Sequence, residues 1–483
     1  MKKWIAAVAA LLVALFMVKT AQAGDIKWEG NYRIEGLKVF NPTLEDSGNN
    51  KAYLLHHFTL RPQIQAYDGL TIHSRFDLFN QLGFANDQLG QTFGQGVNPN
   101  AGVAGGGNNS TNTNTTSDQQ PAGAIAVNEL YANWVHEFGV LTVGRAPMHF
   151  GLGINFNGGY GMFDHFLENR DLIAYKIVMG NFNIMPVIAK TYEGLVGEHD
   201  DINDYILQIN YENPETELEV GFIYQARRST SNFNSNDTQL LPIGGATATQ
   251  QDNYEVDSYN IFVSQWVDAI KVAFEVGFNS GNTGIFRNGA EIKHDAFGGA
   301  LEMDWMPDET GWGLELDLGY ASGDDPTTEN SYEGYIFDQN YDVAFLLFNH
   351  PMGQADFFRT SYLNNLGAGA TAAQTNAANQ FDVEAISNTL YASLGVHYRW
   401  AKKYDFQTRL TYAQLNRDPI QNANVDSAAG YELDLSLKYE PFKGFQWINR
   451  AGIFAPGAAF EGGTSNFSVN NAFGFETKAA ISF

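Results

Sequence analysis

The residues best suited to chemistry in this sequence are charged side chains on alternating segments, and none of them falls into a familiar catalytic pattern. There is no G-x-S-x-G, no H-E-x-x-H and no phosphate-cradling P-loop. His56 and His57 are adjacent, so on an extended chain they point to opposite faces. A barrel phospholipase needs no local motif and stays as an alternative, but an enzyme is not the expectation. Two acidic stretches could bind Ca²⁺: Glu198-His199-Asp200-Asp201 with Asp204, and Asp324-Asp325 with Glu329. Neither spacing matches a calcium loop, so both read as solvated acid, and no metal or cofactor is expected.

What remains is an electrostatic pattern. Arg61 and Arg75 each stand seven residues from Asp68 and should face each other across one hairpin, with Arg33 on the neighbouring strand. Glu302, Asp304, Glu315 and Asp317 flank a second hairpin turn at Pro307 to Gly311. Bases on one wall facing acids on the other would set a transverse field of the charge-ring type. The plainer alternative is that these groups keep a wall wet. Arg399 and Arg409 adjoin the acidic hairpin and dilute it. Asp164 and Glu168 belong to a glycine-rich connection, Arg145 just precedes it, and all three join the candidate constriction. Arg145, however, shares parity with apolar Val143 unless a bulge intervenes. Glu217, Glu219, Glu432 and Asp434 share the polar face and tilt the expectation toward a mild cation preference.

The elements that must carry these charges are strands. Tyr431, Leu433, Leu435, Leu437 and Tyr439 alternate with Glu432, Asp434, Ser436 and Lys438, which a strand resolves into two faces and a helix does not. Ile26 to Glu35, His57 to Ala66, Leu314 to Tyr320 and Leu390 to Trp400 repeat the pattern. Leu218 to Gln225 does too, except at Ile223. Leu172 to Met179 and Phe182 to Lys190 alternate poorly. Eight short turns are expected: Asp68-Gly69, His136 to Gly139, Gly180-Asn181, Asn213 to Thr216, Trp266 to Ala269, Pro307 to Gly311, Lys402-Lys403 and Pro441 to Gly444. Aromatic residues crowd them, as one membrane girdle requires. Long connections fall between the hairpins, including Gln81 to Gly123, Pro147 to Arg170 and Ala321 to Glu384. Eight turns and nine outer loops join about 18 strands (16–20). Tyr332 to Phe348 could add a pair.

The fold class is therefore all-β: a transmembrane, antiparallel, up-and-down β-barrel with short periplasmic turns and long outer loops. Segments that alternate for nine to eleven residues can cross a bilayer when tilted, and closure satisfies every strand edge in hydrocarbon. A ring of this size leaves an aqueous lumen. The first 23 residues read as a cleaved signal peptide: Met1-Lys2-Lys3, an apolar run from Ile5 to Val18, and Ala21-Gln22-Ala23. Residues 24–483 then form one barrel. Losing the leader's Lys2, Lys3 and Lys19 takes the formal charge from −26 to −29, which argues against nucleic-acid binding. The sequence has no cysteine, so no disulfide can brace the fold.

The last segment, Phe473 to Phe483, alternates and ends in phenylalanine. It resembles the C-terminal signature of Gram-negative outer-membrane barrels, in which the terminal Phe, here Phe483, is read by the barrel-insertion machinery. The Pro147 to Arg170 connection holds five glycines and resembles the third loop of porins, which folds into the lumen as a constriction. Gly144-Arg145, Phe150-Gly151 and Phe163-Asp164 are similar to steps in alginate-export-type and related 18-stranded barrels, departing where Ala146 replaces the usual Gln. These resemblances imply an outer-membrane porin for passive diffusion of small hydrophilic solutes or ions. The alternatives are a channel specific for a saccharide, organic acid or polymer, and a surface structural or receptor barrel whose long, mobile outer loops bind partners or phage. The implied partners are outer-membrane lipid and lipopolysaccharide, the insertion machinery and small solutes. Monomer and homo-oligomer both remain open.

Overall fold

The alternating segments form strands that close into a ring. A computed structural model describes residues 25–46, 48–79, 91–92, 125–193, 201–229, 248–250, 252–307, 311–328, 330–354, 384–419 and 423–483. The expected signal peptide, the Gln81 to Gly123 connection, apart from residues 91–92, and the acids Glu198, Asp200 and Glu329 lie outside the described residues.

The long strands are β1 (Ile26–Phe40), β2 (Asn50–Tyr67), β3 (Leu70–Leu78), β4 (Ala126–His136), β5 (Gly139–Pro147), β6 (Asn169–Met179), β7 (Phe182–Tyr192), β8 (Ile202–Asn213) and β9 (Leu218–Ser229). They continue as β10 (Glu255–Val267), β11 (Ile270–Arg287), β12 (Ala290–Trp305), β13 (Trp312–Ala321), β14 (Thr389–Trp400), β15 (Tyr404–Leu415), β16 (Ala428–Tyr439), β17 (Phe445–Pro456) and β18 (Ala472–Ser482). This is a closed 18-strand antiparallel barrel. Three further strands of two or three residues lie at its rim. β1 pairs with β18 from Asn31–Ser482 to Phe40–Phe473, which shuts the ring. Gly30 and Phe483 exchange both backbone hydrogen bonds, at 2.9 and 3.0 Å, just beyond that ladder.

Burial is inverted relative to a water-soluble sheet. On β16 Leu435 is 53 % exposed while Glu432 is 0 % exposed. Apolar side chains face outward and acids face the interior, as hydrocarbon outside and water inside demand. The outward aromatics form two belts. Trp134, Trp266, Trp305, Trp312 and Trp400 lie beside the short turns. Tyr224–Tyr259, Phe278–Phe297–Tyr320 and Tyr412–Tyr431 ring the other end with centroids 4.8–5.7 Å apart.

All eight expected short turns join consecutive strands. The outer connections, L1 to L9 in chain order, are less uniform than expected. L6 is only Asn288-Gly289, with φ of 53° and 82°, the left-handed pair of a tight hairpin turn. It caps the long β11 and β12, of 18 and 16 residues, so there the hairpin supplies the height that a loop supplies elsewhere. Tyr332 to Phe348 adds no pair of barrel strands. Only Ser331–Tyr332 is extended, pairing parallel with β12.

Candidate functional site

Two outer loops turn back against the inward faces of the strands. L3 (148–168) is held from both sides. On β11, the Glu275 carboxylate accepts the Leu152 amide at 2.8 Å and the Gly153 amide at 3.2 Å, and Asn260 donates to its other oxygen at 2.8 Å. Ile270, the turn-side end of that strand, lies only about 17 Å below along the chain. On the opposite flank, Arg33 donates to the Asp164 carbonyl at 2.6 Å, Asn31 to the Met162 carbonyl at 2.9 Å, and Arg75 to the Gly159 carbonyl at 3.4 Å. His165 meets Glu35 at 2.9 Å. An apolar underside completes the seat: Met148, Phe150 and Phe156 pack with Leu172, Ala174, Val187, Ala189 and Ile223. This explains why β6 and β7 alternate poorly and why Ile223 breaks the pattern on β9. Their inward faces are apolar because the loop covers them.

L7 follows the same logic on the other wall. Glu432 accepts the Leu346 and Leu347 amides at 2.6 and 2.7 Å, and Asp434 accepts Phe345 at 3.2 Å. Each such bond is worth about 0.5–1.5 kcal/mol net, and leaving an amide buried and unpaired costs about 1–3 kcal/mol. The Val343 carbonyl accepts Arg409 at 3.4 Å and Thr411 at 3.3 Å. Two cross-strand glycine pairs form sockets. A Cβ at Gly277 or Gly298 would lie 2.1–2.2 Å from Tyr335, and one at Gly452 or Gly474 would lie 2.6–2.8 Å from Phe345. The two loops also brace each other. The Asp338 amide donates to the Ile154 carbonyl at 2.8 Å, and the Asn340 side chain accepts from both the His165 and Phe166 amides at 3.0 Å.

These contacts redistribute the charges read from sequence. Arg61 and Arg75 do face each other, since Leu60 pairs with Phe76 and Gln63 with His73. Arg75 is neutralised by Asp77 at 3.0 Å, with Glu129 at 3.7 Å, and Arg33 by Glu35 at 2.7 Å. Arg61 has no hydrogen-bonded partner among the described residues, and its Nε is buried. Asp164 and Glu168 serve within L3 and its stem: Asp164 accepts the Gly161 amide at 2.6 Å, and Glu168 pairs with Arg170 at 2.6 Å.

On the acidic wall, Arg409 bridges Glu315 and Asp317 at 2.5 Å each, reaching over β14 at Gly395. A Cβ there would press the Glu315 carboxylate at 3.1 Å. His397 pairs with Glu315 and with Asp405. Glu302 accepts the Tyr341 hydroxyl at 2.9 Å, and Asp304 stands opposite Lys271. Arg399 sits near the turn-side mouth, half-exposed, 3.4 Å from Asp405. Most of the expected transverse field thus closes into local pairs.

Three readings need correction. Arg145 is not in the lumen. No bulge intervenes in its pairing with β6, it keeps the outward parity of Val143, and it forms a two-pronged pair with Asp171 at 2.7–2.8 Å on the outer surface. Glu432 and Asp434 do face inward, but L7 amides occupy them, so they are not bare pore acids. Residues 331–353 are no part of a mobile surface loop: Tyr335, Phe337, Phe345, Leu346 and Leu347 are all buried. The rest of the Ala321 to Glu384 connection, from 355 to 383, lies outside the described residues. Sequence reading put Glu35 and Lys478 on polar strand faces without giving them a role, and it missed Glu275, Lys176 and Arg450 on the inward face. The available signal was an inward position filled by glycine or an apolar residue, since a water-lined wall has no use for either. Among the described residues no group of three or more His, Asp or Glu is placed to hold a metal, and Asp204 is occupied by Arg170 and Arg227 at 3.0 and 2.8 Å.

No protein-family model matches the chain, and no curated protein does. Solved structures of similar shape include Pseudomonas aeruginosa OccK9 (OpdG), at 12 % identity and TM-score 0.49 over 95 % of this chain and 98 % of that one. Others are a BenF-like porin from Pseudomonas fluorescens Pf-5, at 10 % identity and TM-score 0.48 over 95 % and 98 %, and Pseudomonas aeruginosa OccK2 (OpdF) in complex with glucuronate, at 10 % and 0.48 over 96 % and 98 %. Likeness this distant carries nothing about this chain's solute. The assignment to a lipid-facing barrel rests on its own closed ladder and inverted burial.

Proposed function

We propose that the chain is an outer-membrane channel that passes small hydrophilic solutes by diffusion, with the passage narrowed jointly by L3 and L7. The observation that carries this reading is the pinning of both loops against the inward face of the ring by the inward carboxylates Glu275 and Glu432. A barrel meant only as a surface scaffold has no need of loops anchored inside the ring. Selectivity in this reading is weak, because most wall charges are paired, and it leans to anions. Of the acids that favoured cations in the sequence reading, Glu432 and Asp434 are bonded to loop amides and Glu217 lies in the β8–β9 turn, which leaves Glu219. Arg61, Lys176 and Lys438 keep no hydrogen-bonded partner among the described residues. Phe483, 60 % exposed beside β1, remains the proposed insertion signal. Planar-bilayer recording of the purified protein tests the channel reading: discrete conductance steps with a small anion preference are expected, and silence in every electrolyte contradicts it. Phe483→Ala should lower barrel assembly in cells.

A further inference from the structure

L3 and L7 meet at a short turn of L7, and the contacts there bind both limbs of L3. Asp338 to Tyr341 form the turn: the Tyr341 amide donates to the Asp338 carbonyl at 3.0 Å, and the Asn340 amide to the Asp338 carboxylate at 2.8 Å. It is fixed at both ends, since the Phe337 amide donates to the Ile386 carbonyl at 2.9 Å and the Tyr341 hydroxyl to Glu302. Toward the first limb of L3, the Asp338 amide donates to the Ile154 carbonyl at 2.8 Å. Toward the second limb, the Asn340 side chain makes three bonds. Its oxygen accepts the His165 and Phe166 amides at 3.0 Å each, and its nitrogen donates to the Phe166 carbonyl at 2.9 Å. An asparagine amide supplies two acceptor lone pairs and a donor on one short stem, and an ionised aspartate lacks the donor. Apolar packing follows the same path: Ile154, fully buried, belongs to the cluster that holds Tyr335, Phe337 and Tyr341. The seats on the wall adjoin as well. Glu275, which holds L3, and Gly277, whose bare backbone admits Tyr335 of L7, stand two residues apart on β11.

Either loop, on leaving its seat, must break these four hydrogen bonds and uncover Ile154. We infer that L3 and L7 open and close as one gate, and that Asn340 is the positioning residue that couples them. The functional meaning rests on the channel reading: two loops moving separately would give the passage four widths, and one gate gives it two. L3 keeps its own ties to β1 and β11, so it loosens when L7 leaves and does not unfold. The shared turn meets the physical requirement for coupling, a contact network that both elements bias and that is lost when either departs.

The chain has no cysteine, so a single Tyr160→Cys on L3, at a position 56 % exposed, can carry a spin label. The labelled full-length barrel is compared with its variants in detergent micelles by electron paramagnetic resonance. Loosening L7 with Glu432→Ala and Asp434→Ala should raise the mobile fraction of the L3 label about fivefold. Adding Asn340→Ala should remove most of that response, while Asn340→Asp, which keeps the two accepted bonds, should preserve most of it. A label that ignores the loosening of L7 would overturn the inference, and so would a response that survives Asn340→Ala undiminished. Heat-modifiable migration on gels checks that each variant is a folded barrel. The readout needs no conduction: a barrel silent in bilayers but still passing the loosening from L7 to L3 would refute the channel reading and leave the coupling standing.

Discussion

L3 and L7 both pack inside the ring, yet they are built on different physics. L3 is compact and glycine-rich, with φ of 58°, 81° and 63° at Gly151, Gly153 and Gly159, and it is tied by polar bonds to both flanks of the barrel. L7 meets one long arc of wall through an apolar cluster from Tyr335 to Met352, with aromatic rings in glycine sockets and acids reaching its backbone. The contrast shows two ways to keep a chain segment in a water-filled barrel. A loop can be tethered at many polar points, or the wall can be made locally apolar and concave to fit it. The second way depends on fewer positions and should fail more abruptly.

That difference can be attacked directly. The largest effect is expected from Glu432→Ala with Asp434→Ala, which strands three buried L7 amides at a cost of about 3 kcal/mol or more. Single-channel conductance should rise at least twofold and become noisy, whereas Glu275→Ala, acting on a loop with other tethers, should raise it by less. Equal effects would erase the distinction between the loops. Next, Gly474→Leu fills the Phe345 socket. Overpacking of this kind costs about 1–3 kcal/mol, so an intermediate rise in conductance is expected while the thermal stability of the barrel changes little. Third, Arg61→Glu should move the zero-current potential in a salt gradient toward cation preference. The same exchange at Arg33, which is already paired, should mainly loosen L3 and raise conductance.

The smallest effect concerns pH. Burial, with the Glu168 and Asp164 carboxylates of L3 nearby, pushes the Asp338 carboxyl of L7 up to about 8. A group whose folded pKa is raised loses stability as pH climbs from its unfolded value, near 4, through 8, so L7 docking should be firmest in acid. Conductance should therefore increase modestly from pH 5 to pH 9, and Asp338→Asn should flatten the dependence. An unchanged slope in that variant would remove Asp338 from the account.

The barrel was legible in the sequence because alternation encodes its two solvents residue by residue. Leu433 and Asp434 can be sorted with no knowledge of their neighbours. All eight turns followed from where alternation stops and aromatics gather. L3 was legible through its glycines and its likeness to a known loop. L7 was not, because residues such as Phe345 and Leu346 look like strand or surface-loop residues until the wall they touch is known. Their sockets, Gly452 and Gly474, lie more than a hundred residues away. Pore charges were legible in facing direction but not in availability. Parity says that Glu432 points inward, and only the folded loop shows that Leu346 and Leu347 have taken it. Arg145 shows the reverse case: parity gave the right face, and likeness to a loop motif pulled it to the wrong one.

Replacing residues 335–352 by a short Gly-Ser linker and comparing single-channel conductance with the wild type tests the central claim most directly. The barrel strands and their ladder are untouched by this change. If L7 narrows a diffusion path, the trimmed protein should conduct several times more than the wild type and admit larger neutral solutes. Identical conductance and identical size cut-off in the two proteins would contradict the account.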